Sequence, residues 1–561
     1  MRHPDRKALN RVLLLVFGVC SVLYIAGCGG ERGIPERLET GFAMDRPDVL
    51  RLGLYGDALD LSPIGHHAEY ERFLCNLIHA APLKRDGNGA FQPDLFDTWV
   101  SYPDEAGRLV VDAFWKQGLR WHDGTPFDTK ALAFTFEMMK NPGNSSPYAT
   151  LASQVVRIDE LDRGKRVRIV FATSSRRSLE LLTAGLLPPH LLEGKTVSDA
   201  LVPRVASDPD ANLSAATASG SLVAFTEYPV GMGPYRLVNR RRGRFIEFEA
   251  WQQVASQTLP FNRILIRCHN QLETLLSDFR NGKLDWMPVP SEIASKIEEL
   301  KIPQVRFLRY PNPAFLLWGF NTRRSPFDQP ALRVALDEGL DRASIRAKIP
   351  YEGELLAGSL KPALPVSEPR DLAGALEAAG IRDSDGDGRR EFDGKPLNMN
   401  ILMNEENLTR KLLAEELARQ LNQAGISGTV EGVNWSELLG KRLATDSWDS
   451  FLLSFQQPVD GNAIELWHTV GSAAGSLNYC RISDPELDAA LERLDTWPEV
   501  ASAAELRARV QTRLEAVRPG AFLFRTFDVA MCRENLIGPA SESGIIDMQP
   551  ATWKKLAPEN P

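Results

Sequence analysis

The chain has 561 residues, of which 43% are hydrophobic and 25% are charged, and its formal net charge is −8. This is an ordinary globular composition, and at roughly 100–200 residues per domain the length predicts about three to five structural units. A net negative chain without a dominant basic patch lacks the electrostatic character of a nucleic-acid-binding protein.

The N-terminus has the pattern of a bacterial lipoprotein signal. A basic segment precedes an uncharged, mostly apolar run from Val12 to Gly27, which is too short for a comfortable membrane span. The run ends in Ile-Ala-Gly directly before Cys28, and this resembles the lipobox at which lipoproteins are cleaved. Residues 1–27 are therefore predicted to be a signal peptide and Cys28 to be the lipidated residue. A plain signal peptide with an incidental cysteine is the alternative.

The segment after the predicted cleavage point, residues 28–47, is polar and is predicted to be a tether. Order is predicted to begin at VLRLGLY, where Leu50, Leu52 and Leu54 alternate as in a strand. Besides Cys28, four cysteines follow the signal peptide, and their wide spacing excludes a CxxC metal or redox motif. Two disulfides, one disulfide or four buried thiols all fit an exported chain.

The stretch GLRWHDGTPF, from Gly118 to Phe127, concentrates polar residues that an active site would use. It follows an apolar, strand-like run and precedes the helical pattern FDTKALAFTFEMMKNP. For this helix Asp128 is the predicted N-cap, and Asn-Pro-Gly is the stop signal. We therefore predict a structural turn between a strand and a helix. A catalytic pair formed by His122 and Asp123 is the alternative.

The second half of the chain has a strand–helix–strand pattern. LNMNILM alternates in hydrophobicity, TRKLLAEELARQLNQAG is an amphipathic helix stopped by Gly425, and GTVEGV is a further short strand. This order predicts parallel strands joined by a crossover, and so an α/β fold with some antiparallel sheet earlier in the chain. No HExxH, GxSxG or phosphate-loop motif is present.

The acidic stretch DSDGDGRREFDG is a weak calcium candidate. Asp383, Asp385 and Asp387 occupy positions 1, 3 and 5 of a calcium-loop pattern, but position 12 is Gly394 rather than the bidentate Glu of an EF-hand. Turns formed by these carboxylates without metal are the alternative. His468 has no second ligand at metal spacing, and no metal or other cofactor is predicted.

Five segments occur in an order that resembles a known family. They are FQPDLFDTW, FWKQGLRWHDGTPFDTKALAFTFEMMKNP, YPVGMGPYRL, LLSDFRNGKLDWMPVP and FNTRRSPFDQPALRVALDEGLDRASI. Each resembles a segment of the extracytoplasmic substrate-binding proteins of ABC transporters, in the peptide, dipeptide and nickel branch. The resemblance runs from about residue 50 to about residue 540. In that family the segment similar to GLRWHDGTPF is a structural turn, and not a catalytic site.

The resemblance implies an α/β fold with two lobes, an extra subdomain in the first lobe and two hinge crossings. A solute would bind in the cleft between the lobes, and closure would bury it. The implied base of the first lobe comprises residues 48–74, 175–268 and 521–555. The extra subdomain covers 75–174 and the second lobe 269–520, so that the chain crosses between lobes near 268 and near 520.

Three candidate ligand contacts lie in one stretch of the second lobe. In peptide-binding relatives, a Gly-Trp is followed shortly by an Asp that holds the α-ammonium group of the ligand. Here Ser454 and Phe455 take the Gly-Trp position, and Asp460 lies two residues beyond the Asp position. For Asp460 the alternative is a solvated turn residue. Phe455 and Trp467 are candidate apolar walls of the cleft, with ordinary core as the alternative.

Three further candidates come from the same resemblance. Asn321, in the segment FLLWGFNT, either bonds the ligand or ties the second lobe together. Glu69 and Tyr70 match a first-lobe loop that reaches the cleft in relatives. No catalytic residue is predicted.

The sequence thus predicts an exported, lipid-anchored, monomeric receptor that faces the periplasm or the cell exterior. It would capture an oligopeptide-like or related small solute and deliver it to an ABC permease and its ATPase, without enzymatic activity. One alternative is a sensory or scaffold lipoprotein that kept the fold without transport. A cell-envelope hydrolase is the other, with His122 and Asp123 as its best support. The ligand and the choice of membrane stay open.

Overall fold

The structure is a computed structural model. It describes residues 46–65, 69–86, 90–203, 222–251, 259–356, 371–456, 463–472, 477–496, 503–538 and 553–556. The predicted signal peptide, Cys28 and nearly all of the predicted tether therefore lie outside the described residues. None of the helices in these ranges combines the length and apolar character that a membrane span needs.

Strands and helices are mixed along the chain, which confirms the predicted α/β class. The strands are β1 (Val49–Tyr55), β2 (Leu83–Arg85), β3 (Phe91–Pro93), β4 (Phe96–Pro103), β5 (Leu109–Trp115), β6 (Val155–Leu161), β7 (Arg166–Phe171), β8 (Leu201–Pro203), β9 (Leu222–Ala224), β10 (Tyr235–Arg241), β11 (Phe245–Ala250), β12 (Arg263–His269), β13 (Trp286–Val289), β14 (Val305–Phe320), β15 (Gly353–Leu355), β16 (Glu391–Phe392), β17 (Lys395–Pro396), β18 (Asn398–Asn404), β19 (Ser427–Val433), β20 (Ser450–Gln456), β21 (Gly520–Arg533), β22 (Leu536–Ile537) and β23 (Lys554–Lys555). The α-helices are α1 (Glu69–Ile78), α2 (Lys130–Lys140), α3 (Ala149–Ser153), α4 (Arg176–Glu180), α5 (Pro189–Leu192), α6 (Leu272–Arg280), α7 (Ala294–Glu298), α8 (Pro330–Glu338), α9 (Arg342–Ala347), α10 (Leu372–Ala378), α11 (Leu408–Gln423), α12 (Trp435–Glu437), α13 (Ile464–Trp467), α14 (Pro485–Asp495) and α15 (Ala503–Val517). Short 3₁₀ turns cover Pro142–Asn144, Asp162–Gly164, Leu181–Thr183 and Thr469–Ser472, and a π-turn covers Leu438–Arg442.

One sheet of 11 strands forms the base of both lobes. Its path is β10-β11-β12-β1-β13-β21-β14-β20-β18-β19, and β15 pairs with β21 beside it. β1 is parallel to β12 and β13, and β18 is parallel to β19 and β20. The pairs that involve β14 and β21 are antiparallel. A parallel pair needs a crossover connection, and α11 supplies it between β18 and β19 as the sequence pattern predicts.

Two long strands, β14 and β21, pass from one hydrophobic core into another. Tyr310 on β14 packs in a core with Trp286, whereas Phe315, only a few residues later, packs in a core with Phe451. β21 changes core in the same way between residues 524 and 530. The chain therefore crosses between the two lobes inside these two strands.

The crossing in β21 lies just after the predicted position near residue 520, whereas the crossing in β14 lies well beyond the predicted position near residue 268. The difference arises from β13, which lies between β1 and β21 in the sheet and whose Trp286 packs in the first-lobe core. Residues 269–310 therefore pack with the first lobe, whereas the resemblance implies that they belong to the second. Their partners are remote in sequence, so no local pattern reports this pairing.

The extra subdomain has a core of its own, which extends beyond the predicted range 75–174. A four-stranded antiparallel sheet, β4-β5-β7-β6, contributes its inner face to this core, together with α2. Leu182, Phe225 and Met232 pack in the same core. Among the described residues after 174, those from Leu179 to Val202 and Phe225 to Met232 thus contribute side chains to the subdomain core, while Tyr228 packs against the core of the first-lobe base.

The segment around GLRWHDGTPF folds as predicted, with one correction. β5 ends at Trp115, a turn follows, and α2 ends at Lys140 directly before the Asn-Pro-Gly stop signal. The helix begins at Lys130, so the N-cap position falls on Thr129 and not on Asp128 as predicted. Asp128 still contributes, because its Oδ1 accepts the backbone amide of Lys130 at 3.0 Å.

The four cysteines within the described residues, Cys75, Cys268, Cys480 and Cys532, are free and buried. The sequence permits two disulfides, one disulfide or four buried thiols, and the structure has the four buried thiols. Burial raises the pKa of Cys268, Cys480 and Cys532 to about 12. These thiols stay protonated at neutral pH, and a protonated thiol is neither a good nucleophile nor a metal ligand.

Candidate functional site

The carboxyl ends of the parallel strands in both lobes point toward the crossing strands. In the first lobe β13 ends at Val289, which pairs with Val529 of β21, and β1 runs parallel to β13. In the second lobe β20 ends at Gln456, which pairs with Ala314 of β14, and β18 runs parallel to β20. Ligands of open α/β sheets bind outside the carboxyl ends of the strands, so these two edges define the candidate cleft.

The crossing itself contains features that interrupt a regular ladder. Pro311 and Pro313 have no amide proton to donate, and the register of β14 against β21 shifts between Pro311 and Phe315. Beside this break, the amide Nδ2 of Asn312 donates to the Asp528 carboxylate at 3.1 and 3.3 Å. A ladder that is locally broken and then tied by a side chain suits a hinge.

Glu352 fastens a third strand to the same crossing. It directly precedes β15, and its backbone oxygen accepts the amide of Phe527 at 2.9 Å. Its carboxylate accepts from Arg309 at 2.6 Å and from the hydroxyl of Ser295 at 2.8 Å, both on the first-lobe side. Gly353 is in close contact with the backbone of Arg525, where a Cβ would overlap the carbonyl oxygen.

Phe455 and Trp467 lie in one aromatic cluster of the second lobe, with different exposure. Trp467 is buried, with its ring stacked on Phe315 at 6.4 Å and edge-on to Phe522 at 6.1 Å. Phe455 is half-buried at the carboxyl end of β20, and its ring lies 6.2 Å from that of Tyr479. The core alternative therefore describes Trp467, while Phe455, packed against the same core, stays partly exposed at the carboxyl end of β20.

Asn321 is fully buried and bonded within the second lobe. Its Nδ2 donates to the carbonyl oxygens of Asp446 and Trp448 at 3.1 and 3.0 Å, and its Oδ1 accepts the amide of Arg323 at 3.2 Å. Both amide protons are thus used by the backbone. Of the two roles expected for Asn321, this arrangement favours the tie within the lobe over a ligand contact.

The remaining predicted contacts are only partly located. Asp460 falls between β20 and α13, outside the described residues. Glu69 and Tyr70 open α1, which follows the loop at the carboxyl end of β1. Tyr55, the last residue of β1, was not singled out by the sequence analysis, and its side chain is 46% exposed at this edge. The sequence signal for Tyr55 is its place at the end of the strand predicted from Leu50, Leu52 and Leu54, because ligands of open α/β sheets bind at the carboxyl ends of strands.

His122 and Asp123 do not form a catalytic pair. The Nε2 of His122 bonds the carbonyl oxygen of Gly233 at 3.0 Å, and its Nδ1 accepts the amide of Gly231 at 3.3 Å. Asp123 instead accepts the amide of Thr125 at 2.9 Å. Burial lowers the pKa of His122 to about 4, so the ring is neutral and serves as a tie between two segments of the subdomain.

The acidic loop after α10 gathers four carboxylates. Asp383, Asp385, Asp387 and Glu391 each offer an oxygen within 4.8 Å of the others, and Glu391 was not part of the predicted set. The oxygens of Asp383 also accept the amides of Gly386 and Gly388 at 2.7 and 2.9 Å, as in a turn without metal. Calcium binding at this loop stays a prediction.

Comparison with known proteins decides the family. The model of the "Bacterial extracellular solute-binding proteins, family 5 Middle" matches residues 91–475, which is more than half of the chain. The chain belongs to this family. Its members are extracellular, so the protein is exported, and the family's solved and curated relatives are binding proteins and not enzymes.

Individual relatives of this family 5 protein are distant. The oligopeptide-binding protein AppA of Bacillus subtilis is 20% identical over 453 residues, covering 77% of this chain and 78% of AppA. The structure of HbpA2 from Haemophilus parasuis has a TM-score of 0.73 at 14% identity, covering 91% of this chain and all of that one. NikZ from Campylobacter jejuni, solved with Ni(L-His), has a TM-score of 0.62 at 20% identity over 91% of this chain and all of NikZ. These likenesses confirm the two-lobed fold.

Proposed function

We propose that the protein is a lipid-anchored receptor that captures an oligopeptide-like or related small solute between its lobes and delivers it to an ABC permease. The observation that carries this proposal is the meeting of strand ends from both lobes at the crossing of β14 and β21. A site built from two lobes binds by closing on its ligand, and contacts to both lobes favour the closed state.

The proposed ligand contacts come from both sides of this cleft. Phe455 supplies an apolar surface at the end of β20, and Asp460 on the following segment would hold an ammonium group. Glu69 and Tyr70 would approach from the first lobe, at the start of α1. Trp467 supports Phe455 from within the core through the shared neighbour Phe315, since both rings lie within 6.4 Å of it.

The lipid anchor is proposed on the sequence alone. Cleavage before Cys28 would leave its thiol for a diacylglycerol and its amino group for a further acyl chain. Two or three chains anchor a protein stably, whereas one chain binds only marginally. The anchor would keep the receptor near the permease, as a monomer on the outer side of the membrane that holds it.

The melting temperature of the protein without residues 1–28 tests the peptide part of this proposal. The probes are tri-alanine, N-acetyl-tri-alanine and a nickel–histidine complex, because relatives are named for peptides and one was solved with Ni(L-His). We expect tri-alanine to raise the melting temperature, since a ligand at 100 times its Kd stabilises by about 2.7 kcal/mol. The acetylated peptide, which has no ammonium group, should have little effect.

Two variants sharpen this test. Asp460→Asn should abolish most of the tri-alanine shift, while Asp385→Asn, a matched change in the remote acidic loop, should leave it intact. A shift that survives Asp460→Asn would overturn the ammonium role of Asp460. A nickel–histidine shift without a peptide shift would replace the peptide ligand by a metal chelate.

A sensory or scaffold role without transport is the second candidate. The observation that favours it is the loss of the Gly-Trp…Asp pattern of peptide-binding relatives, because Ser454 and Phe455 replace Gly-Trp and Asp460 lies two residues beyond the Asp position. Under this alternative none of the three probes shifts the melting temperature, and deletion of the gene leaves solute uptake unchanged. Uptake that falls on deletion would exclude it.

A further inference from the structure

The two lobes touch at a second place, away from β14 and β21. The contact joins α4, which packs with the extra subdomain, to α13 and α14 of the second lobe. Leu179 of α4 lies in the subdomain core, while Leu466 and Leu487 lie in a second-lobe core.

Ser175 makes the polar part of this contact. Its Oγ donates to the Asp495 carboxylate at 2.7 Å, and its backbone forms an isolated antiparallel bridge with Thr496. The same hydroxyl accepts the amide of Arg177 at 3.1 Å and so caps α4. One serine therefore fixes the start of α4 and bonds it to the end of α14 at the same time.

Arg177, two residues further on, adds an ion pair. Its guanidinium contacts the carboxylate of Glu465 on α13, and the two side chains are 41% and 52% exposed. Partners 288 positions apart in sequence cannot be held together by local structure. They meet only while the subdomain and the second lobe are close, so the pair reports on the arrangement of the lobes.

We propose that Ser175, Arg177, Glu465 and Asp495 form a clasp through which the extra subdomain favours a closed arrangement of the lobes, because lobes that had separated could not make these contacts. The inference rests on the proposed function in one respect, namely that the lobes separate to admit a solute. Glu465 lies five positions after Asp460, on the segment that follows β20. None of the four residues is among the proposed ligand contacts, so the clasp would bias closure without touching the ligand.

This position has a consequence for affinity. When only a fraction of the molecules is in the binding-competent arrangement, the apparent Kd rises in inverse proportion to that fraction. An exposed ion pair is a weak contact, so breaking it should lower the ratio of closed to open molecules by only about two- to fivefold. The clasp would therefore tune closure and still let the cleft open.

Pulsed electron paramagnetic resonance on the ligand-free protein without residues 1–28 tests the clasp. Spin labels at Lys195→Cys in the subdomain and Lys411→Cys in the second lobe report the distance between them. Arg177→Glu and Glu465→Arg should each shift population toward longer distances by about two- to fivefold. The double variant, which restores opposite charges, should return the distribution toward that of the parent protein.

Two further variants make this test decisive. Arg157→Glu is the matched control, because Arg157 pairs at 2.8 Å with Asp159 inside the subdomain, and it should leave the distribution unchanged. Ser175→Ala, which removes the bond to Asp495 without reversing a charge, should lengthen the distances. Unchanged distances in Arg177→Glu and Ser175→Ala, or a double variant that stays open, would refute the clasp. The measurement needs no ligand, so its failure leaves the receptor function standing, and failure of every ligand probe leaves the clasp standing.

Discussion

Asn321 connects three backbone groups that no secondary structure satisfies. Its amide bonds the carbonyl oxygens of Asp446 and Trp448 and the amide of Arg323. A buried backbone group that loses its partner costs about 1–3 kcal/mol, since water cannot replace the bond. Its importance is therefore to the stability of the second lobe.

Asn321→Ala should lower the free energy of unfolding by about 1–3 kcal/mol, because the buried carbonyl oxygen of Trp448 loses its partner and two part-buried bonds are lost with it. Urea unfolding monitored by tryptophan fluorescence measures this. Asn312→Ala, at the more exposed crossing of β14 and β21, is the comparison and should lower the free energy of unfolding by less. A variant of Asn321 with unchanged stability and weakened ligand binding would reverse the assignment and make Asn321 a ligand contact.

His122 couples the stability of the subdomain to pH. Burial lowers its pKa to about 4 in the folded chain, against 6.5 for an ordinary histidine. Above about pH 6.5 the ring is neutral in both states and the free energy of unfolding does not depend on it. As pH falls from 6.5 toward 4, the unfolded chain takes up a proton that the folded chain refuses, so stability is lost in this window.

His122→Gln tests this dependence, because the amide can still donate to Gly233 and accept from Gly231. Between pH 7 and pH 5 the parent protein should lose about 2 kcal/mol more unfolding free energy than the variant. Urea titrations of both proteins at the two pH values give this difference. The carboxylates contribute equally to the parent protein and the variant, so their contributions cancel. Equal losses in both proteins would show that His122 does not titrate as described.

At the scale of elements, the strand–turn–helix segment and the Gly-rich segment before β10 interlock. His122 bonds both Gly231 and Gly233, and the amide of Gly233 donates to the carbonyl oxygen of Ile78 at 2.7 Å at the end of α1. A Cβ on either glycine would overlap backbone oxygens of Leu77 and Ile78. The glycines thus serve close backbone packing.

Gly233→Ala should destabilise the protein by on the order of 3 kcal/mol, because the colliding atoms are backbone and cannot rotate away. Gly440→Ala is the matched control, since a Cβ there meets nothing within 4 Å. The two melting temperatures, measured side by side, decide the point. A Gly233 variant as stable as the Gly440 variant would contradict the close packing.

Elements with a local signal could be predicted from the sequence. The turn after β5 and the β18-α11-β19 unit follow from periodicity, caps and stop signals, which depend on neighbours in the chain. The lobe boundaries could not be predicted in this way. They depend on β13 pairing with β1 and with β21. In each of these two pairs the partner residues lie more than 230 positions apart in sequence, and no local pattern encodes such a pairing.

The candidate site shows the same division. Phe455 and Trp467 are both aromatic and lie 12 positions apart in sequence. Only the packing of the folded chain makes one ring half-buried and the other buried. Arg177 and Glu465 could not be paired from sequence, because charged residues are common and their partners are unspecified. The resemblance points to segments of the chain, and only three-dimensional packing separates the buried residues from the exposed ones within them.

At the scale of the whole molecule, the lipid anchor proposed at Cys28 would determine where the receptor works. Cys28→Ser should move the protein from the membrane fraction to the soluble exported fraction, because no lipid can then be attached to the thiol. Fractionation with metabolic palmitate labelling measures this, and Cys75→Ser, at a buried thiol, is the control that should stay in the membrane. A labelled, membrane-bound Cys28→Ser protein would contradict the anchor.

The central claim, that the two lobes enclose a small solute, is tested most directly by native mass spectrometry. The protein without residues 1–28 is purified without refolding and sprayed from a volatile buffer. We expect an added mass that leaves on mild activation and whose fragments identify a peptide or related solute. A folded protein that carries no added mass, and whose melting temperature no probe shifts, would contradict the account.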